Sequence, residues 1–478
     1  MKRLLVLLLW FGLTSLAVSA QKLSISDLPE SYYKHMTGRI KPVTNPGKAP
    51  IQVTMNMRRR GEVISGTYFY EDDTLSLSLN GTINEKENMY VFEAVDPEFN
   101  LKGTFRGAFY DEKTMRGILN VPRNNGQDEK WHFELVEDYT NSVQFDVFQM
   151  HDRHYIEDNP DYPYIDISID YLHPIAYKDE SVLGDVQILT EKEFFGKFAF
   201  ENNPDMNIKR KRREAFNEYS QYVERNYTHN PEMVELHIWE SEYVSDVVYN
   251  SDNILTLKVK SEENVGGEAQ FGGINYLVID MNTGEKIKLE DIFKDGYEKA
   301  VSTIITEKIK EDLGIENDIA LIEQEFLIDM IVPNDNYYID RKGIGFYFKP
   351  YAINEYEVRV YISYQEMGRV LKKKSIISRF FPENMSFSGN DELIAEREDL
   401  LKFYRDMNQQ QGPPDPFSNE FYYDDTISGN EGNIFYPEQE ADGSIVYPGE
   451  GEGEEGGIVY PGEGEGEEGG IVYPGEGE

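Results

Sequence analysis

Leu75-Ser76-Leu77-Ser78-Leu79-Asn80-Gly81-Thr82-Ile83 alternates apolar and polar residues with a period of two before it reaches a glycine followed by two β-branched residues. Successive side chains of an extended chain point to opposite sides, so this stretch predicts a strand with one face buried. Outward from it, Gly66-Thr67-Tyr68 and Gly103-Thr104-Phe105 repeat the pairing of a permissive glycine with good strand formers. Turn sequences lie between these runs: Glu71-Asp72-Asp73, Asn84-Glu85-Lys86, Asp111-Glu112-Lys113 and Asn124-Asn125-Gly126. Short strands at this spacing predict an antiparallel β-meander, barrel-like and closed or half-closed, over about 48–140. Residues 21–47, with Pro29, Pro42 and Pro46, read as a leader strand or linker before it.

Beyond residue 140 the texture alternates between two periods. Ile165, Ile167, Ile169 and Tyr171 interleave with Asp166, Ser168 and Asp170, which predicts a strand whose polar face sees water or a polar neighbour. Ile208, Ala215, Phe216, Tyr219, Tyr222 and Val223 recur at helical spacing, predicting a helix over about 208–226 with Asn207 as its cap. Leu255, Leu257 and Val259 mark another strand, and Tyr276 to Ile279 with Ile287 and Leu289 flank Asn282-Thr283-Gly284 as a hairpin. Tyr297, Val301, Ile304, Ile305, Ile309 and Leu313 define a second helix, stopped by Gly314. Two further strands run through Phe346 and Phe348 and through Val358, Val360 and Ile362. The order predicts an α+β body of mixed sheet and helices over about 141–385, then a charged helix to about 406.

At 478 residues the chain is long enough for about three folding units. Its 88 acidic against 47 basic residues give a formal charge of −41, which opposes the phosphate neutralisation that nucleic-acid binding requires. There is no cysteine, so disulfides, thiolate catalysis and Cys-ligated metals are excluded together. At the start, Lys2 and Arg3 precede the apolar run Leu4–Leu13, and Ala17-Val18-Ser19-Ala20 offers small residues at a cleavage point after Ala20. This is the pattern of an export signal, too short to span a bilayer, with no following Cys for a lipid anchor. The expectation is a periplasmic or secreted protein without a membrane span. At the other end, residues 406–478 hold 19 acids and no Lys or Arg, and a 13-residue unit returns with Ile445, Ile458 and Ile471 before Val-Tyr-Pro-Gly-Glu. Glycine, proline and like charge at this density predict disorder over 407–478.

One run reads further. Gly266-Gly267-Glu268-Ala269-Gln270-Phe271-Gly272-Gly273-Ile274-Asn275-Tyr276-Leu277-Val278-Ile279-Asp280, then Thr283-Gly284 and Leu289-Glu290-Asp291-Ile292-Phe293, resembles a secreted domain pair of bacterial envelope proteins. The second half of that pair is matched by Gly345-Phe346-Tyr347-Phe348-Lys349-Pro350-Tyr351 and Val358-Arg359-Val360-Tyr361-Ile362-Ser363-Tyr364. The resemblance covers about 160–371, its first half ending near 293. Members include the extracellular sensor of a lysozyme-responsive anti-sigma factor and the accessory part of a peptidoglycan deacetylase, and most have no assigned function. Ala352 and the short Ile353-Asn354-Glu355-Tyr356 connection stand where the family has Glu and a longer loop, so the resemblance leaves open any ligand contact by that loop. What the resemblance implies is a binding or sensing module; with no recognisable catalytic constellation and an acidic chain, the expectation is a non-catalytic protein whose partner is a cationic, lysozyme-like protein or peptidoglycan. An enzyme acting on cell-wall glycan and a structural tether are the alternatives.

Candidate chemistry does not displace that reading. His151-Asp152-Arg153-His154 would place two imidazoles on one side of a helix, but lacks further ligands and reads as surface loop. Asp280, Asn282 and Gly284 start like a calcium loop, yet Glu285 stands where glycine is required and Asp291 closes it in place of Glu, so a hairpin turn is expected. Gly266-Gly267 and Gly272-Gly273 are followed by no helix and no Walker lysine. Arg58-Arg59-Arg60 and Lys209-Arg210-Lys211-Arg212-Arg213 read as counter-charges to nearby carboxylates. The 33 Tyr and 26 Phe supply rings of the kind that stack on sugars, though most belong in cores. No catalytic, cofactor-binding or metal-ligating residue is nominated.

Overall fold

The computed structural model describes residues 22–380, interrupted at 45–46, 71–75, 97–98, 124–125, 157–161, 201, 228–230, 267–269, 317 and 373, and two short strands in the tail. The export signal, the charged helix at 386–406 and most of the expected disordered tail lie outside these residues. In the tail, Glu438–Gln439 pairs antiparallel with Ile445–Val446. No helix among the described residues is long and apolar enough to cross a membrane.

The alternating runs close completely. Eight antiparallel strands, β1 (Ser31–Pro42), β2 (Ile51–Arg60), β3 (Val63–Tyr70), β4 (Ser76–Asn84), β5 (Met89–Val95), β6 (Leu101–Phe109), β7 (Thr114–Val121) and β8 (Glu129–Glu137), form a barrel in chain order, sealed by β1 against β8. Inward positions such as Met36, Met55, Leu79, Phe92, Phe105 and Leu135 fill it with side chains, so the interior is a packed core. Phe92 stacks on Phe105 at 5.0 Å, and Phe133 meets Phe105 edge-on at 5.3 Å. The barrel begins earlier than the expected residue 48. Residues 31–42, expected as a leader strand or linker, are its first strand, because Pro29 and Pro42 bracket the run and Tyr32, Met36 and Ile40 supply the same inward alternation. Just before β1, a 3-10 turn at Ile25–Asp27 caps one end, its backbone tied to Asn88 and to Arg59.

The body follows from β9 (Gln144–Tyr155) and β10 (Tyr164–Ala176) through helices α1 (Glu180–Phe195) and α2 (Pro204–Asn226) to β11 (Trp239–Ser251), β12 (Ile254–Asn264), β13 (Gln270–Asp280) and β14 (Glu285–Lys286). These strands make one six-stranded sheet in the order β14-β13-β12-β11-β10-β9. Only the β10–β11 pairing is parallel within it, which is what a helical crossover between the two strands requires. Helix α1 has no clean apolar stripe, since Thr190 and Glu191 interrupt Val182, Val186, Phe194 and Phe195 and Ile188 is exposed; it was not legible from periodicity. Helix α2 starts one turn before the expected 208. Asn203 is its cap, accepting from the Met206 amide at 3.1 Å, and Pro204 occupies the first turn, whereas Asn207 is buried.

A short helix α3 (Leu289–Ile292) and α4 (Glu298–Asp312), ended by Gly314 at φ +66°, lead to a three-stranded antiparallel sheet, β15 (Tyr337–Ile339), β16 (Gly343–Phe348) and β17 (Val358–Ser363). The largest apolar core unites α3, α4 and this sheet with Ile254 and Val278 of the large sheet and with Phe69, which the barrel contributes.

Candidate functional site

Two regions combine unusual chemistry with defined geometry. The first is the seam between barrel and body, where the outward faces of β1, β2 and β3 meet the large sheet. Along β2, Met55 and Met57 point into the barrel and Asn56, Arg58 and Arg60 point out, as the period of two dictates. Arg58 and Arg60 both bond to Asp170 of β10, and Arg60 reaches Asp246 of β11 at 2.6 Å. Lys258 adds a contact to Asp246 at 3.4 Å. Burial pushes the Arg58 guanidinium down to about 10 against the pull of Asp170, so it is still charged at neutral pH. Burial also opposes the charge of Asp246, but Arg60 and Lys258 hold its carboxyl below the ordinary carboxylate value. Next to these ions, Asn56 Oδ1 accepts from Tyr33 Oη at 2.7 Å and lies 2.8 Å from His35 Nδ1, while Asn250 Nδ2 donates to Tyr33 Oη at 2.9 Å. Phe69 stacks on Tyr249 at 5.6 Å and seals the seam on its apolar side. The arginine run at 58–60 thus supplies counter-charges, as expected, except that Arg59 turns inward to carbonyls of Pro29 and Gly61.

The second region is a pair of exposed loops. One runs from the 3-10 turn Leu321–Gln324 to β15, and the other, residues 349–357, joins β16 to β17. Leu321, Phe326, Ile331 and Ile353 sink into the core and pin both loops. The loops are also tied to each other: the Leu327 amide donates to the Ile353 carbonyl at 2.9 Å, and Asn354 Nδ2 donates to the Glu325 carbonyl at 3.4 Å. Between the anchors the apolar side chains face outward. Ile322, Leu327, Ile328, Met330 and Val332 are exposed, and Tyr351 and Tyr356 are 76% and 74% accessible. Residues 315–335 hold six carboxylates and no Lys or Arg, and residues 349–357 hold Glu355 and Glu357 against Lys349, so this apolar surface has a net acidic surround. Tyr351 sits at φ +65°, a backbone region that a bulky side chain enters only at a cost. It is fixed there by the bond from its amide to the Asn354 carbonyl at 2.7 Å.

The structure disperses the other candidates. His151 and His154 lie on strand β9, where residues three apart face opposite sides; the helix that would have paired them, and the surface loop expected instead, are both absent there. His151 and Arg153 bond to Asp166, and His154 stacks on Phe216 at 4.9 Å. Asp280 to Gly284 form the hairpin turn, with Asp280 engaged by Arg379, and Asp291 accepts from the Lys288 amide at 2.9 Å. Gly272 lies against Ser261 of β12, where a Cβ would come within 2.1 Å of the carbonyl oxygen, so close strand packing explains it. In the α2 cluster, Arg212 bonds to Asp152, Arg210 lies over Phe200, and the Lys211 ammonium sits 3.5 Å over the ring of Tyr243. Tyr276, Tyr338 and Tyr361 make an aromatic ladder with centroids 4.8 and 6.1 Å apart. The ladder is held by Tyr361, which donates to Asp340 at 2.6 Å, and by the Tyr338 ring lying over Gly345. Burial raises the carboxyls of Asp340 and Glu191, but each is engaged inside: Asp340 by Tyr361 and two amides, Glu191 by Asn207 at 2.9 Å. Among the described residues no His, Asp and Glu side chains gather as a metal site.

Both exposed loops lie within a stretch that has known relatives. Residues 290–358 match the DUF3298 family. Its description is a protein of unknown function, and the match begins at the end of the first half of the domain pair expected from the sequence and covers most of the second. Two crystal structures of DUF3298 proteins are similar to the chain. The one from Bacteroides fragilis is 22% identical with a TM-score of 0.47, and the one from Pseudomonas aeruginosa is 14% identical with a TM-score of 0.36. Each covers 51% of this chain and 99% of its own. No curated protein matches the chain.

Proposed function

We propose that this chain is an exported, non-catalytic binding protein of the bacterial envelope, and that its DUF3298 segment contacts a cationic protein through the loops at 321–332 and 349–357. The observation that carries the reading is the inversion of ordinary surface chemistry there: apolar and tyrosine side chains point outward from two loops whose anchors are buried. Contiguous exposed apolar surface ringed by polar groups is how partner sites present themselves. The carboxylates around it select for positive charge, and tyrosines add area and a face for arginine or lysine. Export rests on the pattern of residues 1–20, and the lysozyme-like partner on the resemblance to an envelope sensor.

The test uses the mature chain, from Gln21, titrated with lysozyme and with cytochrome c as a second small basic protein at physiological salt. Saturable binding to lysozyme, weakened about tenfold by Leu327→Ser with Ile328→Ser, supports the reading. Equal, weak binding to both cationic proteins, abolished by moderate salt and indifferent to those substitutions, reduces the interaction to bulk charge and removes it.

A further inference from the structure

The outer wall of the barrel, away from the seam, carries a different surface. Cross-strand register places outward residues of three strands in two rows. Arg39 of β1 stands opposite Glu134 of β8, which stands opposite Arg116 of β7; in the next row Lys41 stands opposite His132, which stands opposite Ile118. These residues, with Tyr110 and Pro50, line an open groove of about 580 Å³. That volume lies in the range of small-molecule sites. Three fixed cations and an imidazole face one carboxylate, on a chain whose formal charge is −41. Glu134 is committed mainly to Arg116, at 2.9 Å, and stands 3.9 Å from Arg39. The Arg116 guanidinium is further fixed 5.4 Å over the Tyr110 ring. Lys41 has no ion-pair partner among the described residues, and the Arg39 side chain is 63% exposed.

We propose that this groove binds the phosphate of a small organic phosphate monoester. Arg39 and Lys41 are two apart on one strand, about 7 Å between Cα atoms, so both long side chains reach a single phosphate lying between them. The guanidinium offers a planar fork for two phosphate oxygens and the ammonium a point charge for a third, with His132 beside Lys41. Ile118, Tyr110 and Pro50 supply the apolar wall on which the organic part lies. Glu134 sets the balance: it anchors Arg116 and, by repelling the ligand, limits affinity. The inference is independent of the loop surface, which lies in another part of the chain.

Titration of the full mature chain with phenyl phosphate and with inorganic phosphate, at low ionic strength, tests it. Phenyl phosphate binds more tightly than inorganic phosphate because its ring meets the apolar wall. Arg39→Gln and Lys41→Gln each weaken phenyl phosphate about tenfold, while Arg213→Gln, an exposed arginine on α2, changes nothing. Glu134→Gln tightens binding about threefold, a gain that misfolding cannot imitate. Vesicles of phosphatidic acid against phosphatidylcholine separate the sources: retention on the former, displaced by phenyl phosphate, makes the ligand a lipid headgroup, and no retention makes it a free phosphate. Absence of saturable binding, losses shared equally by Arg213→Gln, vesicle retention that phenyl phosphate does not displace, or an unchanged Glu134→Gln each overturns the site.

Discussion

The seam and the loop pair invert each other. At the seam the chain buries Arg58, with a side chain 3% exposed, against Asp170, and surrounds them with Asn56, His35, Tyr33 and Asn250. At the loop pair it leaves Ile322, Leu327, Met330 and Tyr351 in water. Charge is tolerated inside because each ion has a counter-ion on the facing domain, so the seam is specified by pairing. Apolar surface outside has no such internal justification, and the same chain that paired its buried ions left that surface uncovered. The difference separates a region whose chemistry is closed within the molecule from one whose chemistry is open to another.

The largest effect should come from opening the closed region. Asp170→Ala leaves Arg58 and Arg60 facing each other without their shared carboxylate, and should cost about 3–5 kcal/mol in denaturant unfolding. Because Arg58 Nε and Nη1 already lack partners in the seam, replacing Arg58 and Asp170 together with Met and Leu should recover most of that loss. If the double replacement is as unstable as the single one, the seam is held by something other than pairing. In the loops the corresponding contrast is between anchor and surface. Ile353→Ala removes a buried side chain and should cost about 3 kcal/mol, whereas Leu327→Ser should stay within about 0.5 kcal/mol. Equal costs at both positions would mean that Leu327 is part of the core and the surface is not free.

Acid should distinguish the regions as well. Burial holds the His35 imidazole below its ordinary 6.5, against the pull of Asn56, Asp138 and Asp252. The unfolded chain therefore takes up a proton there before the folded one does, and stability falls as pH drops below about 6.5. Asp246 extends the decline: its folded value is depressed, so the stability it contributes is present above the ordinary carboxylate value and lost on further acidification. The raised carboxyls of Glu191 and Asp340 run the other way, favouring the fold as pH falls, so the readout is the difference between variants. His35→Gln should flatten the wild-type decline of thermal midpoint between about pH 6.5 and 5, and loop variants should leave it parallel. A decline unchanged by His35→Gln would place the acid sensitivity elsewhere.

What could be read in advance followed from pattern. The barrel was legible because Leu75 to Ile83 alternates without interruption, and α4 because Val301, Ile305 and Ile309 keep one face and Gly314 ends it. The seam was not, because Asn56, Arg58 and Arg60 alternate with Met55 and Met57 just as a solvent-facing row would; a second domain on that face leaves the period unchanged. Strand β1 was hidden by prolines that mark its ends, and α1 by Thr190 and Glu191 in its buried stripe. The loop surface lies in an irregular segment with no period to read. There only the run of carboxylates among Ile322, Leu327, Ile328, Met330 and Val332 hinted that the apolar residues were not core.

Tyr351 allows the finest test of the comparison. A tyrosine at φ +65° holds its backbone where glycine is at ease, so Tyr351→Gly removes strain and a side chain that contributes little to the core, being 76% exposed. Glycine returns part of that gain as lost conformational entropy, and the net is a stabilisation of about 0.5–1 kcal/mol, or a few degrees in thermal midpoint. If the loop pair serves a partner, the same variant must weaken lysozyme binding while the fold becomes more stable. Stability and binding moving in opposite directions is the outcome a purely architectural role for Tyr351 does not produce. Its opposite, a destabilised variant with binding intact, would return the residue to the closed chemistry of the core.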